Sequence, residues 1–274
     1  MYSGSTLTNY SGRLLGAHQK IDRMARRHLE QMVPKSHFPA IRAILHFEGG
    51  KGPDAIKRKS PAKDEPWHYV QPFDADDTQL IELIEDHYKK LVSCLKKQDN
   101  VRAAFEAAWL AHAIVDGLTP AHHYPYEEKL VELRSGRSIE SRTTVKEKLI
   151  LPGESRGHQI HNNWKMWGPK GLFTTHAAFE TGFAMLIVPA KLKRTKPTAD
   201  KIAAFEAQPL AYWFRQTAQD IARLELYDAF YETGWTIPLA RRIRRQLAPV
   251  LVQAVALVWH GAVREAGLGK AKKA

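Results

Sequence analysis

Histidine and aspartate recur at metal-ligand spacing in one short stretch of the sequence. His112 and Asp116 are four residues apart in a segment whose apolar residues have helical spacing, so both side chains lie on one face of the predicted helix. Gly117 and Pro120 end that helix and place His122 just beyond it. A buried carboxylate or imidazole is costly unless it meets an opposite charge or a metal ion. We therefore expect the three side chains to converge.

A second histidine–carboxylate pair has the same spacing. His176 and Glu180 are four residues apart, and Phe179 and Phe183 lie beside them on the predicted helix. Imidazole and carboxylate ligands suit zinc, and a zinc ion with an open coordination position brings the pKa of its bound water close to neutrality. The two pairs, together with His122, indicate a centre in which two or three zinc ions clamp a phosphodiester.

The composition favours one domain with a phosphate-bearing partner. The chain has 274 residues, of which 44% are hydrophobic, and a formal net charge of +12. This length is sufficient for a large core. The positive charge favours nucleic acid, an anionic membrane surface or a phosphorylated small molecule, without choosing among them. Cys94 is the only cysteine, which excludes an internal disulfide framework and a thiolate zinc site.

Helical spacing of apolar residues predicts an all-α fold, a single multi-helical domain over residues 1–274. Asp76 or Asp77 is expected to cap the helix that starts near Leu80, Asn100 to cap the helix that carries His112, and Pro249 to kink the last helix. The glycine- and proline-rich stretch 49–72 is predicted to be a loop, and the stretch 124–170 an insertion across one end of the core. Helices are predicted to begin near His18, Pro39, Leu80, Asn100, Thr174, Ala199 and Pro238.

Neither a secretory signal nor a membrane span is predicted. The first thirty residues have no apolar stretch of the kind that a signal peptide needs. The longest apolar run, 250–259, is too short to cross a bilayer and contains a glutamine. We therefore expect a cytoplasmic protein.

The order of these residues resembles that of the zinc-dependent phospholipase C and P1/S1 nuclease superfamily. The stretch His112-x3-Asp116-x3-Pro120-x-His122 looks like the superfamily's signature. The resemblance covers most of the chain, and it implies a multi-helical phosphodiesterase with a three-zinc cluster. The other residues that carry the resemblance follow in the superfamily's order: His18, Asp54, His68, His176 and Glu180.

The resemblance also implies a role for each candidate ligand. Asp116 would bridge to a third ion that His18 helps to hold. Asp54 would act as the general base, orienting the water or hydroxide that attacks phosphorus. The ions would neutralise the phosphate oxygens and stabilise the leaving alkoxide. Two full ligand sets are implied, the first of Asp54, His68, His112 and Asp116, and the second of His122, His176 and Glu180.

Two of these assignments have competitors in the sequence. Glu48 also precedes the loop histidine in a glycine-rich turn, and it competes with Asp54 for the role of general base. His161 competes with His176, because an aromatic residue follows it at the spacing of the nuclease version of the motif. Lys165 occupies the place of the carboxylate partner of His161, and a protonated lysine cannot bind zinc. Spacing therefore favours Asp54 and His176.

Two departures from the superfamily's pattern bear on the substrate and on the third ion. The superfamily completes its third site with an N-terminal tryptophan, whereas seventeen residues precede His18 and none of them is tryptophan. The positions of the choline-binding aromatics are occupied by Ala55 and Glu65, so the resemblance does not imply choline selectivity. The candidate substrate-binding residues are Trp67, Trp164 and Trp167.

Three hypotheses for function follow. The leading one is a zinc-dependent phosphodiester hydrolase of the phospholipase C type, because Glu180 stands where the nucleases usually have aspartate. The alternative is a P1/S1-like single-strand nuclease or nucleotidase, which the positive charge and the base-stacking aromatics favour. The third is a non-catalytic helical protein that binds metal or lipid. The expected partners are a phospholipid or nucleic-acid substrate and an anionic membrane surface, and no obligate protein partner is inferred.

Overall fold

The regular structure of the chain is helical, as the sequence predicts. The computed structural model describes residues 16–49, 51–60 and 67–268, without the side chains of residues 57–59, and these residues contain no strand. Short 3₁₀ turns lie at Lys35–His37, Pro120–His122 and Ile139–Ser141. The α-helices of the described residues are α1 (Ala17–Leu29), α2 (Ile41–Glu48), α3 (Pro53–Lys59), α4 (Gln79–Lys96), α5 (Asn100–Gly117), α6 (Tyr126–Leu133), α7 (Lys146–Leu149), α8 (Arg156–Trp167), α9 (Leu172–Ile187), α10 (Ala199–Glu206), α11 (Leu210–Ala222), α12 (Leu226–Thr233), α13 (Ile237–Arg242) and α14 (Ala248–Glu265).

Helix α14 forms the centre of the core. Every residue from Ala248 to Val263 except Val250 is buried, as is typical of a helix that is apolar on all sides. The helix packs against α1, α4 and α5, and the buried Trp259 indole N–H donates to the Ala107 carbonyl oxygen over 3.1 Å. By length and composition, the continuous helix Ile237–Glu265 is long and apolar enough to cross a membrane, but 89% of its apolar window is buried inside the protein. Its apolar composition is therefore explained by its position in the core.

The predicted kink at Pro249 takes the form of a π-helical segment that lies just before the proline. Residues Ile243–Leu247 adopt this wider helix, and the Ala248 N–H donates to the Ile243 carbonyl oxygen five residues back. Proline has no N–H, so Pro249 cannot donate to the carbonyl oxygen four residues before it. The wider turn shifts the hydrogen-bond pattern to five-residue spacing ahead of the proline.

Helices α4 and α5 form the antiparallel pair that supports the predicted centre. The cap of α5 is Asp99, whose carboxylate accepts from the Arg102 N–H over 3.0 Å, rather than Asn100. Helix α4 has no side-chain cap, and the carboxylate of Asp77 instead accepts from the Gln71 N–H. The predicted capping residue of α4 is therefore wrong, because Asp77 holds the preceding loop.

Gly117 sets the path of the chain where α5 ends. A Cβ atom at this position would lie 2.6 Å from side-chain atoms of both Leu80 and Phe214, so only glycine fits between α4 and α11. The chain then enters the 3₁₀ turn Pro120–His122. The Thr119 hydroxyl donates to the Val115 carbonyl oxygen over 2.6 Å and ties this turn to the last turn of α5. As a result His122 is buried beside α5.

The stretch 49–72, predicted to be a loop, contains the helix α3. Gly52 precedes this helix and Pro53 occupies its first turn. In the sequence, the glycines and prolines of this stretch indicate a loop. Proline is, however, also favoured at the first position of a helix. A Cβ atom on Gly52 would lie 2.4 Å from the Glu48 carbonyl oxygen, so the glycine permits a close approach of α3 to α2. The first turn of α3 carries Asp54.

The stretch 124–170 holds α6, α7 and α8 and has a small apolar cluster of its own. Helices α6 and α8 pack against each other and against α9. The cluster is separate from the main core around α14 and consists of Tyr126, Leu130, Leu151 and Met166. The predicted insertion thus contacts the helix that carries His176 and Glu180.

Candidate metal centre

Asp116 is the meeting point of the candidate ligands. Helix α5 brings its carboxylate into the interior, where it is fully buried. One oxygen, Oδ2, lies 2.6 Å from His68 Nδ1 and 3.1 Å from His112 Nε2. The other oxygen, Oδ1, lies 3.2 Å from His18 Nε2. One carboxylate therefore contacts three imidazoles from three separate parts of the chain, which is the placement that a bridging ligand requires.

The first ligand set is brought together by α3, the segment after residue 66 and α5. Ligand atoms of Asp54, His68 and His112 lie within 4.8 Å of one another. Asp54 Oδ1 is 3.7 Å from His112 Nε2. The two histidines are buried, whereas the Asp54 side chain keeps 15% of its surface exposed. With Asp116 these residues offer four oxygen and nitrogen donors, a set that could hold a zinc ion, and Asp54 is the member that solvent reaches.

The second ligand set lies where the turn after α5 meets α9. Ligand atoms of His122, His176 and Glu180 lie within 4.8 Å of one another. Glu180 Oε1 is 2.8 Å from His122 Nε2 and 3.0 Å from His176 Nε2. His122 Nε2 is also 3.9 Å from Asp116 Oδ1. The two ligand sets are therefore adjacent rather than separate sites.

The hydrogen bonds of His122 fit a metal ligand. Its Nδ1 lies 2.8 Å from the His68 carbonyl oxygen, which only accepts, so Nδ1 carries the proton. Burial lowers the pKa of His122 to about 4, so the ring is neutral at pH 7 and Nε2 presents a lone pair. That lone pair faces a carboxylate oxygen of Glu180 at 2.8 Å. Two electron-pair donors at this separation fit a shared cation, and an Nδ1 proton held by a backbone carbonyl oxygen is typical of histidines that act as metal ligands.

Glu48 orients two of the candidate ligands from behind. His112 Nδ1 donates to Glu48 Oε1 over 2.9 Å, and His18 Nδ1 lies 3.8 Å from the same oxygen. The two imidazole rings stack with their centroids 4.0 Å apart and an interplanar angle of 4°. With its Nδ1 proton on Glu48, His112 directs Nε2 toward Asp54 and Asp116. Glu48 thus lies on the opposite side of His112 from Asp54, and its orienting role was missed in the sequence because 64 residues separate the pair.

Glu48 also belongs to a third group with metal-ligand spacing. Ligand atoms of His18, Glu48 and His112 lie within 4.8 Å of one another. The contact that the predicted third site requires, between His18 and Asp116, is formed as well, at 3.2 Å. His18 therefore has carboxylates near both ring nitrogens and lies beside the other candidate ligands.

The charges of the centre favour metal binding. Burial raises the pKa of the carboxyl groups of Asp116 and Glu180, but the surrounding positive charge, including the neighbouring imidazoles, outweighs it and holds both well below the ordinary value. Burial raises the pKa of Asp54 as well, but the charges around it, including those of the nearby histidines, outweigh burial and lower that pKa. Burial lowers the pKa of His112, but Asp116 and Glu48 outweigh it and raise that pKa well above its ordinary value. A metal ion must therefore displace a proton from His112.

An aromatic wall borders the second ligand set. The Tyr69 ring stacks on His122 and on Tyr126, with centroids 5.2 Å apart in both pairs. Trp67, a predicted substrate-binding residue, packs edge-on against Tyr69 at 6.2 Å. Tyr69 and Tyr126 were not predicted as site residues, although Tyr69 directly follows His68 in the sequence. Trp67 and the two tyrosines are therefore the aromatic residues beside the centre.

The other two predicted substrate-binding tryptophans lie elsewhere. Trp164 and Trp167 line an open surface cleft of about 530 Å³ that contains none of the candidate ligands. His161, the competitor of His176, is exposed on the same helix, α8. Helix α8 thus presents Trp164 and His161 to solvent and leaves Trp167 half-buried, and α9 supplies the histidine of the second ligand set.

Comparison with known proteins yields a structural match. No family model and no curated protein matches the chain. The crystal structure of the alpha-toxin of Clostridium perfringens, isolated from avian strain SWCP, matches over 94% of this chain with a TM-score of 0.57 and 14% sequence identity. This chain spans 65% of the length of that toxin chain. At this identity the match bears on the fold alone, and it confirms an all-α fold of the phospholipase C type.

Proposed function

We propose that this protein is a zinc-dependent phosphodiester hydrolase of the phospholipase C type. The observation that carries the proposal is the convergence of two histidine–carboxylate ligand sets on the buried Asp116. The tautomer of His122 supports it, because this ring directs a lone pair at an ionised carboxylate. The phospholipase C-type fold supports the coarser conclusion that the chain is a hydrolase acting on phosphodiesters.

The candidate ligands would be shared among up to three zinc ions. Asp54, His68, His112 and Asp116 would hold one zinc ion, His122, His176 and Glu180 a second, and His18 with Asp116 would contribute to a third. When bound, these ions supply positive charge that lowers the pKa of water and neutralises phosphate oxygens. Glu48 keeps His112 in the tautomer that leaves Nε2 for the metal.

Asp54 is the residue we assign as general base. Its carboxylate is ionised at neutral pH and lies beside His112 at the exposed side of the first ligand set. It therefore accepts a proton from, and orients, the water that attacks phosphorus from the solvent side. Of the members of this ligand set, the two histidines and Asp116 are buried and suited only to holding the ion.

A nuclease or nucleotidase remains the second candidate function. The stack of Tyr126 on Tyr69, with Trp67 edge-on to it, offers aromatic faces beside the centre, and such faces hold nucleobases in single-strand binding proteins. Glu180 in the second ligand set favours the phospholipase. The two functions share the metal centre and differ in the group that Trp67 and Tyr69 contact.

The test compares zinc-loaded wild type with Asp54→Asn. We expect the wild type to hydrolyse bis(p-nitrophenyl) phosphate and phospholipid in mixed micelles. Asp54→Asn should keep the zinc that the buried ligands hold, because the amide oxygen can still act as a ligand, and should lose activity by about 10²- to 10⁴-fold, because an amide is a poor proton acceptor. Hydrolysis of single-stranded DNA without hydrolysis of phospholipid would favour the nuclease. A zinc-loaded wild type that cleaves none of these substrates would overturn the proposal and leave a metal- or lipid-binding protein.

A further inference from the structure

Lysine and tyrosine side chains line one recess beside α9. The recess has a volume of about 240 Å³ and is bordered by α6, α8, the start of α9 and α12. It is distinct from the surface cleft that contains Trp164 and Trp167. The lysine cleft, as we call it, has these cationic and phenolic side chains: Lys129, Lys165, Lys170, Tyr124, Tyr227 and Tyr231.

The lysine cleft carries an excess of positive charge. Lys129 Nζ lies 3.1 Å from a carboxylate oxygen of Glu132, which also lines the cleft. Neither Lys165 nor Lys170 forms an ion pair with a carboxylate of the described residues. Two lysine charges are therefore left without compensation. A phosphomonoester carries a charge of about −1.5 to −2 at pH 7, so the cleft is complementary to a phosphomonoester.

The backbone at Lys170 is unusual for a lysine. Its φ of 60° is in the left-handed region, where residues with a Cβ atom are uncommon. The residue lies in the turn between α8 and α9, and glycine is the residue that such a conformation favours. Residues held in sparsely populated conformations cluster at binding and catalytic sites. The lysine is therefore better explained by its side chain in the cleft than by the turn.

The lysine cleft lies beside the second ligand set. Leu172, which lines the cleft, and His176 are four residues apart on α9. They therefore share one face of the helix and are about 6 Å apart along its axis. Tyr124 of the cleft follows His122 by two residues. Both histidines of the second ligand set thus have a close neighbour in the chain that lines the cleft.

Tyr227 connects the cleft with the third member of that ligand set. Its ring centroid lies 5.2 Å from that of Phe179, the residue before Glu180, and 5.9 Å from that of Tyr124. Burial, Tyr124 and the Glu180 carboxylate raise the pKa of Tyr227, so its ring lies within the field of that carboxylate. A substrate whose phosphodiester lies at the second ligand set can therefore place another group in the cleft.

The lysine cleft fits a lipid headgroup better than a nucleic acid. Single-strand binding proteins follow the backbone with a long groove and stack bases on open aromatic faces. Here the lysines line one recess, and Tyr227 is buried with its ring against Tyr124 and Phe179, so it offers no open face. The phosphates within a nucleic-acid strand are also diesters that carry a single charge each.

We propose that the lysine cleft binds a phosphomonoester on the headgroup of the phospholipid substrate. Lys165 and Lys170 contact the phosphate oxygens, and the tyrosine hydroxyls of the cleft can donate to the same oxygens. The phosphate site itself needs no metal, whereas its role in choosing a substrate rests on the proposed function. The inference narrows the substrate class to phospholipids with a phosphorylated headgroup.

The first test follows the backbone amide signals of residues 170 and 175 by NMR while the purified protein is titrated with inorganic phosphate. We expect both signals to shift. The double variant Lys165→Gln/Lys170→Gln should bind phosphate there roughly tenfold more weakly, because two charge-assisted contacts are lost. The matched control, Lys96→Gln/Lys97→Gln, removes two exposed lysines at the end of α4 that pairs with the start of α5. Its affinity should stay within about twofold of wild type, because salt screens distant charges.

The second test compares phosphatidylinositol 4-phosphate with phosphatidylinositol in mixed micelles of matched surface charge. We expect the zinc-loaded wild type to favour the phosphorylated lipid in kcat/KM by roughly tenfold, and Lys165→Gln/Lys170→Gln to lose that preference. Both proteins should hydrolyse bis(p-nitrophenyl) phosphate equally, because this diester has no second phosphate for the cleft.

Failure of the cleft and failure of hydrolysis are distinguishable. Hydrolysis of bis(p-nitrophenyl) phosphate by a protein that binds no phosphate at the cleft would overturn the inference alone. An equal lipid preference in the double variant and the wild type would also overturn it. Phosphate binding at the cleft without hydrolysis of any diester would overturn the proposed function and leave the phosphate site. A preference for a thymidine 5′-(p-nitrophenyl phosphate) that bears a 3′-phosphate, without a lipid preference, would replace the headgroup by a nucleotide.

Discussion

Helix α5 contains two buried histidine–carboxylate groupings that differ in composition. Toward its start, Glu106 accepts from His87 Nδ1 over 2.6 Å and from Arg102 Nε over 2.7 Å. In its last turn, Asp116 contacts His112 and two further imidazoles. The first grouping joins one carboxylate to one imidazole and one guanidinium. The second belongs to a centre of four carboxylates and five imidazoles, namely Glu48, Asp54, Asp116 and Glu180 with His18, His68, His112, His122 and His176.

The comparison shows what separates a structural pair from a metal centre. Both oxygens of Glu106 accept hydrogen bonds, so that grouping is complete without a ligand. His112 Nε2, by contrast, is buried between carboxylate oxygens of Asp54 at 3.7 Å and Asp116 at 3.1 Å. Carboxylates that converge on one buried imidazole repel one another unless a proton or a metal cation lies between them. Spacing along α5 does not distinguish the two groupings, but the surrounding residues do.

The largest effect is expected from removing the bridging charge. Asp116→Asn should reduce bound zinc by at least half and hydrolysis by at least 10³-fold, because the carboxylate contacts members of both ligand sets. Glu106→Gln, the matched change on the same helix, should leave zinc content and activity within twofold of wild type. Elemental analysis and a soluble diester assay measure both. Equal zinc loss in the two variants would remove the distinction between the groupings.

A smaller effect is expected from removing the orienting carboxylate. Glu48 and Glu106 are both fully buried and both accept from a histidine Nδ1, but only Glu48 lies behind a candidate ligand. Glu48→Gln should weaken zinc binding by about 10- to 100-fold. Glu106→Gln should leave zinc affinity unchanged and lower the free energy of unfolding by about 3 kcal/mol, because it weakens a buried charged pair. Competition with a chromophoric chelator and urea denaturation separate the two effects.

If Glu48→Gln binds zinc as tightly as wild type, the carboxylate is structural like Glu106. If Glu106→Gln weakens zinc binding as much as Glu48→Gln does, the loss reflects general destabilisation of the fold.

The smallest effect is a pH dependence that belongs to the centre alone. The pKa of His112 lies well above its ordinary value in the metal-free protein, so the ring is protonated at neutral pH and zinc must displace the proton. Zinc affinity should therefore rise with pH up to the raised pKa. Calorimetry at pH 7 in buffers of different ionisation enthalpy should show release of about one proton. Release that is unchanged in Glu48→Gln would contradict the role of Glu48 in raising this pKa.

The stability of the metal-free protein should show the opposite dependence. A pKa raised by folding gives stability that is present below the ordinary value and is lost as the pH rises through the raised value. As the pH rises, the metal-free protein should therefore lose the stability that protonated His112 contributes, whereas its affinity for zinc should increase.

The sequence predicted the parts of the centre that depend on local spacing. His112 and Asp116 share a face because they are four residues apart on α5, and Gly117 ends that helix where tight packing against α4 requires glycine. The sequence does not predict helix α3. Its seven residues are too few to show the helical spacing of apolar side chains, and its glycine and proline indicate a loop. From the sequence Glu48 competes only for the role of general base, because its contact with His112 forms only when α2 and α5 pack together.

Helix α14 has a consequence for the timing of folding during synthesis. It is made after the other described helices, yet α1, α4 and α5 all pack against it. Residues 117 and 265 mark the ends of α5 and α14, and a ribosome adding 5–20 residues per second needs roughly 7 to 30 s to cover that distance. During this interval the surfaces of α1, α4 and α5 that pack against α14 lack that partner. The nascent chain is therefore a natural client for chaperones, and it must remain free of aggregation until α14 has left the ribosome.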